Sequence, residues 1–89
     1  MSNIAAITYD GALAVTRSDG TDDPNAGPAG FAGLWIVTAG NISFVDGMGN
    51  NVGTTGAPLA VAVGFIPIRC VRVNSTGTTA VAYGLRAVP

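Results

Sequence analysis

The sequence predicts an all-β domain, a small single-domain β-sandwich or jelly-roll-like barrel with long glycine-rich loops. Three observations carry that expectation. The chain contains no Lys, Glu, Gln or His, so it lacks most of the straight-chain residues that favour helix surfaces. Val, Ile and Thr recur in short runs, and branching at Cβ suits pleated, half-buried strands. Its 13 glycines and 5 prolines break those runs at short intervals, as turns between strands require. With 89 residues there is material for one small core, so residues 1–89 are expected to form a single β domain.

Taken in order, IAAITY (4–9) and ALAVTR (12–17) are two short apolar runs separated by Asp10-Gly11. An Asp-Gly pair in that position is a hairpin signal, so residues 1–17 are read as N-terminal strands or an arm. SDGTDDPNAGPAG (18–30) consists almost wholly of turn formers and is predicted to be loop, reaching residue 32. The main strands then occupy residues 33–86. GLWIVTAGNISFVDG (33–47) reads as a strand, a tight Ala39-Gly40-Asn41 turn and a second strand. Both faces of the first are apolar, Leu34 and Ile36 against Trp35 and Val37. DGMGNNVGTTGAP (46–58) is a second long loop with room for one short strand. Strands are predicted at about 59–65, 66–73 and 78–86.

The arginines of GFIPIRCVRV (64–73) need explaining. In an unbroken strand Ile66, Ile68, Cys70 and Arg72 share one face, while Pro67, Arg69, Val71 and Val73 share the other. Each face is then mostly apolar with one guanidinium. Pro67 donates no ladder hydrogen bond and belongs at a strand start, an edge or a bulge. A two-sided apolar strand carrying arginines fits a subunit boundary, where Arg pairs with carboxylates or carbonyls. The plainer alternative has both lying along the surface with their tips in water.

Charge bears on partners. Charged residues make up 10% of the chain and the formal net charge is −1, against about 25% charged in ordinary soluble domains. Without lysine there is no basic surface to attract nucleic acid or anionic lipid, so neither is expected as a partner. So weakly charged a surface protects a free monomer poorly, and much of it is expected to be covered by other subunits. The stretch MSNIAAITYDGALAV has no basic region and its apolar run stops at Asp10, which makes it a poor secretory signal. No apolar run approaches the eighteen or so residues of a membrane-spanning helix. A single cysteine, Cys70, cannot form an intrachain disulfide or a zinc site and is read as a small buried hydrophobe. These features fit folding in a reducing cytoplasm.

Four segments in order, AVTRSDGTD (14–22), GLWIVTAGNISF (33–44), IPIRCVRVNSTGTTA (66–80) and AVAYGL (80–85), resemble the spike-base and head decoration proteins of tailed bacteriophages and gene transfer agents. In that family a segment like LYVGTAGDV precedes one like LPIRVTRVxATGTTA. Gly33 to Gly40 are similar to the first, and Ile66 to Ala80 to the second. The likeness spans most of the chain, and its order is more specific than any single piece. PNAGPAG and GMGNNVGTTGAP depart from the pattern. The resemblance implies a virion structural protein made in the bacterial cytoplasm and placed on the capsid surface. It also implies a homo-oligomer, a pentamer at a five-fold vertex and otherwise a trimer or dimer. The major capsid protein, and in some members a spike fibre, would be its neighbours.

The residue inventory bears on other chemistries as well. Lacking His and Lys, the chain has none of the usual bases that activate a serine or cysteine, so it is read as non-enzymatic, with no cofactor. Asp19, Asp22 and Asp23 form an acidic cluster. Calcium coordination is one reading, but the EF-hand spacing and its terminal Glu are missing; Asx-turns in a loop are the other. GMGNN lacks the third glycine and the strand–helix setting of a nucleotide site. Trp35 and Tyr83 read either as interface or core aromatics or as a sugar-stacking platform, which would make the chain a small carbohydrate-binding module. Arg69, Arg72, Trp35, Pro67 and Tyr83 are therefore the candidate interface residues.

Overall fold

The alternation in GLWIVT sets the centre of the molecule. Leu34 and Ile36 are fully buried while Trp35 and Val37 are exposed, as a two-residue side-chain period dictates. The computed structural model describes residues 9–87, and among them every regular element is a strand. In chain order these are β1 (Tyr9–Ala14), β2 (Gly33–Thr38), β3 (Gly40–Ile42), β4 (Phe44–Asp46), β5 (Asn51–Val52), β6 (Leu59–Val61), β7 (Gly64–Ile66), β8 (Cys70–Val73) and β9 (Val81–Ala87). The all-β expectation holds.

Three antiparallel sheets share one core. The largest has the order β1-β9-β2-β7, the second β5-β4-β8, and β3 pairs with β6. Phe31, Leu34, Ile36, Ile42, Phe44, Cys70 and Val73 are the largest fully buried side chains. Each such aliphatic or aromatic group contributes about 1.5–3 kcal/mol by leaving water. Gly84 on β9 makes room for one of them. A Cβ there would lie 2.3 Å from the Phe31 ring, so the absent side chain is what lets Phe31 lie flat under the sheet.

Several boundaries differ from the sequence reading, each for a local reason. Asp10-Gly11 is no hairpin turn: it lies inside β1, where the register against β9 slips between Tyr9 and Gly11. A two-versus-one mismatch of this kind is a bulge, which takes up an extra residue without reversing the chain. The strand expected within 4–8 lies outside the described residues. Ala39-Gly40-Asn41 does not fold β2 back on its successor either. β2 pairs with β9 and β7, while β3 pairs with β6, so the chain changes sheets there. Gly40 is needed for close approach, because a Cβ would lie 2.8 Å from the Ala80 nitrogen.

The expected strand 59–65 divides into β6 and β7, in different sheets. The expected strand 66–73 is interrupted as well. Ile68 N–H donates to the Ile66 carbonyl at 3.0 Å, a three-residue turn centred on Pro67. Pro67 has no N–H to contribute to a ladder, so the chain leaves the large sheet at β7 and enters the second at β8.

The long loop 18–30 is packed rather than free. Ser18 N–H donates to the Val73 carbonyl, Asp23 N–H to Val71, and Phe31 and Cys70 exchange both backbone bonds, all at 2.7–3.0 Å. This segment covers the edge of β8 that β4 leaves open. Asp23 and Ala26 are buried in consequence, and β8 avoids the exposed edge that invites unwanted pairing. The second loop contains the short strand β5 that the sequence left room for.

Candidate interaction surface

The four-stranded sheet has one face on the core and one outward, and the outward face is apolar. β2 and β9 place Trp35 opposite Tyr83, β2 and β7 place Trp35 opposite Phe65, and β1 places Ala14 opposite Tyr83. One row of side chains thus crosses all four strands. Within it Trp35 is 47% exposed, Tyr83 46% and Phe65 40%. Val37 and Val81 extend the patch at one end and Tyr9 at the other, its ring edge-on to Phe65 at 5.5 Å between centroids. Phe65 lies across Gly33, where a Cβ would meet its ring at 2.6 Å. Directly opposed aromatic pairs stabilise the sheet by about 0.2–1 kcal/mol each, yet half of each ring remains in water.

No ionised side chain interrupts this row, and contiguous exposed apolar patches of a few hundred Å² are often interaction sites. Compared with protein-family models, curated proteins and solved structures, the chain matches none.

Of the five candidate interface residues, Trp35 and Tyr83 are adjacent on this face. Pro67, Arg69 and Arg72 are elsewhere. Pro67 turns the chain between sheets. Arg69 donates through Nη1 to the Ala29 carbonyl, with its aliphatic stem over Gly47. Arg72 is half-buried, with Nη1 3.8 Å from Asp22 Oδ1 and a buried Nε that has no hydrogen-bond partner. Arg72 thus braces the 18–24 segment within its own chain, and Arg69 also makes its hydrogen bond internally. Of the reading that carried these two arginines, the continuous strand 66–73 is corrected by the turn at Pro67, which leaves Arg69 between β7 and β8 and Arg72 within β8.

The three aspartates of the acidic cluster diverge. Asp23 accepts from Thr16 N–H and Asn25 N–H at 2.8 and 2.9 Å, the second an Asx-turn. Asp19 accepts from the Thr76 N–H and hydroxyl, both at 2.8 Å, and these bonds hold its carboxyl below the ordinary value of 3.8. Asp22 faces Arg72. Among the described residues no three His, Cys, Asp or Glu side chains gather as metal ligands do. Cys70 is fully buried, and burial pushes its thiol up from 9.0 to about 12, so it packs as an inert thiol.

The TGTTA turn, which carries much of the family resemblance, proves to be an internal joint. Thr78 Oγ1 accepts from Ser43 N–H at 2.9 Å and Thr79 Oγ1 from Asn41 N–H at 2.9 Å. The Thr79 and Ala80 N–H groups both donate to the Asn41 carbonyl. Threonine hydroxyls here replace a strand that β3 and β4 lack. Arg17, which the sequence reading did not single out, clamps the same turn by donating to the Thr78 and Ala80 carbonyls, both at 3.1 Å. The only hint in the sequence was the presence of Arg17 in the AVTRSDGTD segment of the resemblance.

Proposed function

We propose that this chain is a non-enzymatic structural subunit of a phage or phage-like particle, a head spike base or capsid decoration protein that oligomerises on the shell. The observation that carries the proposal is the apolar outer face centred on Trp35, Tyr83 and Phe65. Burying three half-exposed rings and their valine neighbours against a second subunit supplies the driving force. The resemblance of the 33–44 and 66–80 segments to virion proteins gives that association its setting. In this reading the work is mechanical: subunits joined through sheet faces reinforce a vertex or seat a fibre, and the major capsid protein is the other neighbour.

Side-by-side Trp35 and Tyr83 also match the stacking platform of a carbohydrate-binding module. That reading is weaker, because sugars need hydrogen-bonding groups beside the rings, and alanines, valines and Phe65 flank these. A glycan panel monitored by Trp35 fluorescence separates the two: a binding module responds saturably, a shell subunit not at all. Localisation is tested by electron microscopy of particles from cells expressing the chain. The proposal expects its density on the outer surface, at vertices or across the lattice. Particles devoid of it contradict the proposal.

A further inference from the structure

The outer face alone is small for a stable assembly. Four strands at about 4.8 Å spacing and about six residues at 3.4 Å each give about 400 Å² in plan per partner. A pair joined only there would bury about 800 Å², short of the 1,200–2,000 Å² or so of specific interfaces. A second contact is needed, and one cleft has the chemistry for it.

This cleft has a volume of about 310 Å³ and lies between the 26–32 turn and the end of β9. Its walls are Ala26, Pro28, Ala29 and neighbouring small residues, and its only charged lining groups are Arg69 and Arg86. Two of the chain's four arginines thus flank one hollow whose lining, among the described residues, contains no carboxylate. Arg86 lies against Gly27, its Nη2 3.6 Å from where a Cβ would stand. Arg69 has one Nη engaged with the Ala29 carbonyl; a guanidinium carries five N–H donors, so most remain. The single ion pair among the described residues is Arg72 with Asp22, and Asp10, in the β1 bulge beside Arg86, makes none.

We propose that this cleft is a carboxylate-binding site that receives an aspartate side chain of a second copy of the chain. Planar guanidiniums bind carboxylates through paired, charge-assisted hydrogen bonds, and the small side chains of the walls leave room for a carboxylate between the two. The complementary charge exists on the same chain. Asp19, Asp23 and Asp46 are engaged by N–H groups of the chain itself and Asp22 faces Arg72, whereas Asp10 is exposed with no ion pair among the described residues. An Asp-into-cleft contact is made twice in a two-fold dimer and once per subunit around a closed ring. The occupant assigned here rests on the self-assembly proposed above; the carboxylate site does not.

The test uses full-length protein labelled with ¹⁵N, at low ionic strength, titrated separately with N-acetyl-aspartic acid amide and with inorganic phosphate. The Arg Nε–H signals report on the cleft. The proposal expects saturable shifts of Arg69 and Arg86 with the aspartate amide, abolished in the doubly substituted Arg69→Ala, Arg86→Ala protein. It also expects self-association of that variant to weaken by about tenfold or more, the scale of losing one charge-assisted pair. Unmoved Arg69 and Arg86 signals overturn the site. Tighter binding of phosphate than of the aspartate amide overturns the ligand class. Aspartate-amide binding with unchanged self-association, or in a protein that never self-associates, overturns the second copy as occupant and leaves the site standing. The Arg69→Lys, Arg86→Lys variant keeps the charge but loses the planar fork, and is expected to bind the probe more weakly than wild type.

Discussion

Thr78 Oγ1 accepts the Ser43 N–H at 2.9 Å and donates to the Ser43 carbonyl at 3.2 Å, so one buried side chain satisfies both backbone groups of one residue. Ser43 lies between β3 and β4 with only 3% of its surface exposed, and its carbonyl also accepts from Asn74 N–H at 2.8 Å. The joint between two sheets therefore hangs on a hydroxyl. Thr78→Val keeps the shape and removes the hydroxyl. It is expected to cost about 2–4 kcal/mol, since a buried N–H left unpaired costs about 1–3 kcal/mol and the bond to the carbonyl is lost besides. Thr78→Ser should lose about 1 kcal/mol, the value of a buried methyl. Urea unfolding of the two variants gives both numbers.

Gly84 and Phe31 form a coupled pair. Gly84→Ala places a methyl inside the Phe31 ring, and overpacking of this kind costs about 1–3 kcal/mol. Phe31→Leu alone is also destabilising, because Phe31 is fully buried. Combined, the two changes should cost less than the sum of the singles, since the smaller side chain frees the space the methyl needs. A double-mutant cycle in urea that shows simple additivity would place the clash elsewhere.

Cys70 makes stability fall at high pH. Its thiol is raised from 9.0 to about 12 in the folded chain, so between those values the unfolded chain ionises and the folded chain does not. The stabilisation is complete below about pH 9 and is lost as pH climbs towards 12, amounting to about 4 kcal/mol at most. The alkaline slope of unfolding free energy should be shallower in Cys70→Ala. An aromatic disulfide reagent at pH 8 should leave the native thiol untouched and titrate it at once in denaturant.

At the acid end the sign reverses. The Thr76 N–H and hydroxyl lower Asp19, and the Asn50 N–H is the main cause lowering Asp46. Both contribute stability above the ordinary carboxylate value of 3.8 that is lost as pH falls through their lower folded values. Asp19→Asn and Asp46→Asn should each flatten the acid limb of the stability profile below about pH 4. Because Asp19 is exposed and Asp46 only partly covered, added salt should shrink the effect.

What the sequence disclosed depended on the range of the interactions involved. The all-β class, the alternation within GLWIVT and the inertness of Cys70 were legible, because alternation and composition act locally; with both faces of GLWIVT apolar, its core side was not. Asp10-Gly11 and Ala39-Gly40-Asn41 misled, because Asp-Gly suits a bulge as well as a turn and Gly40 answers to Ala80, forty residues away. The partner of Arg72 was not legible, because nothing local says that the 18–24 segment folds over β8 and brings Asp22 beside it. The aromatic row was half visible: Trp35 and Tyr83 were singled out, but register alone puts Phe65 beside them. Arg86 gave no signal, since its cleft is assembled from residues distant in the chain.

The central claim is that the face bearing Trp35, Tyr83 and Phe65 is buried between copies of this chain. Sedimentation equilibrium of the wild type beside Trp35→Asp tests it most directly. The account predicts a wild-type mass that is a small multiple of the 8.8 kDa chain and a folded, monomeric Trp35→Asp protein. A wild type that stays monomeric at high concentration, with Trp35 emission at the wavelength of a water-exposed indole, would contradict it.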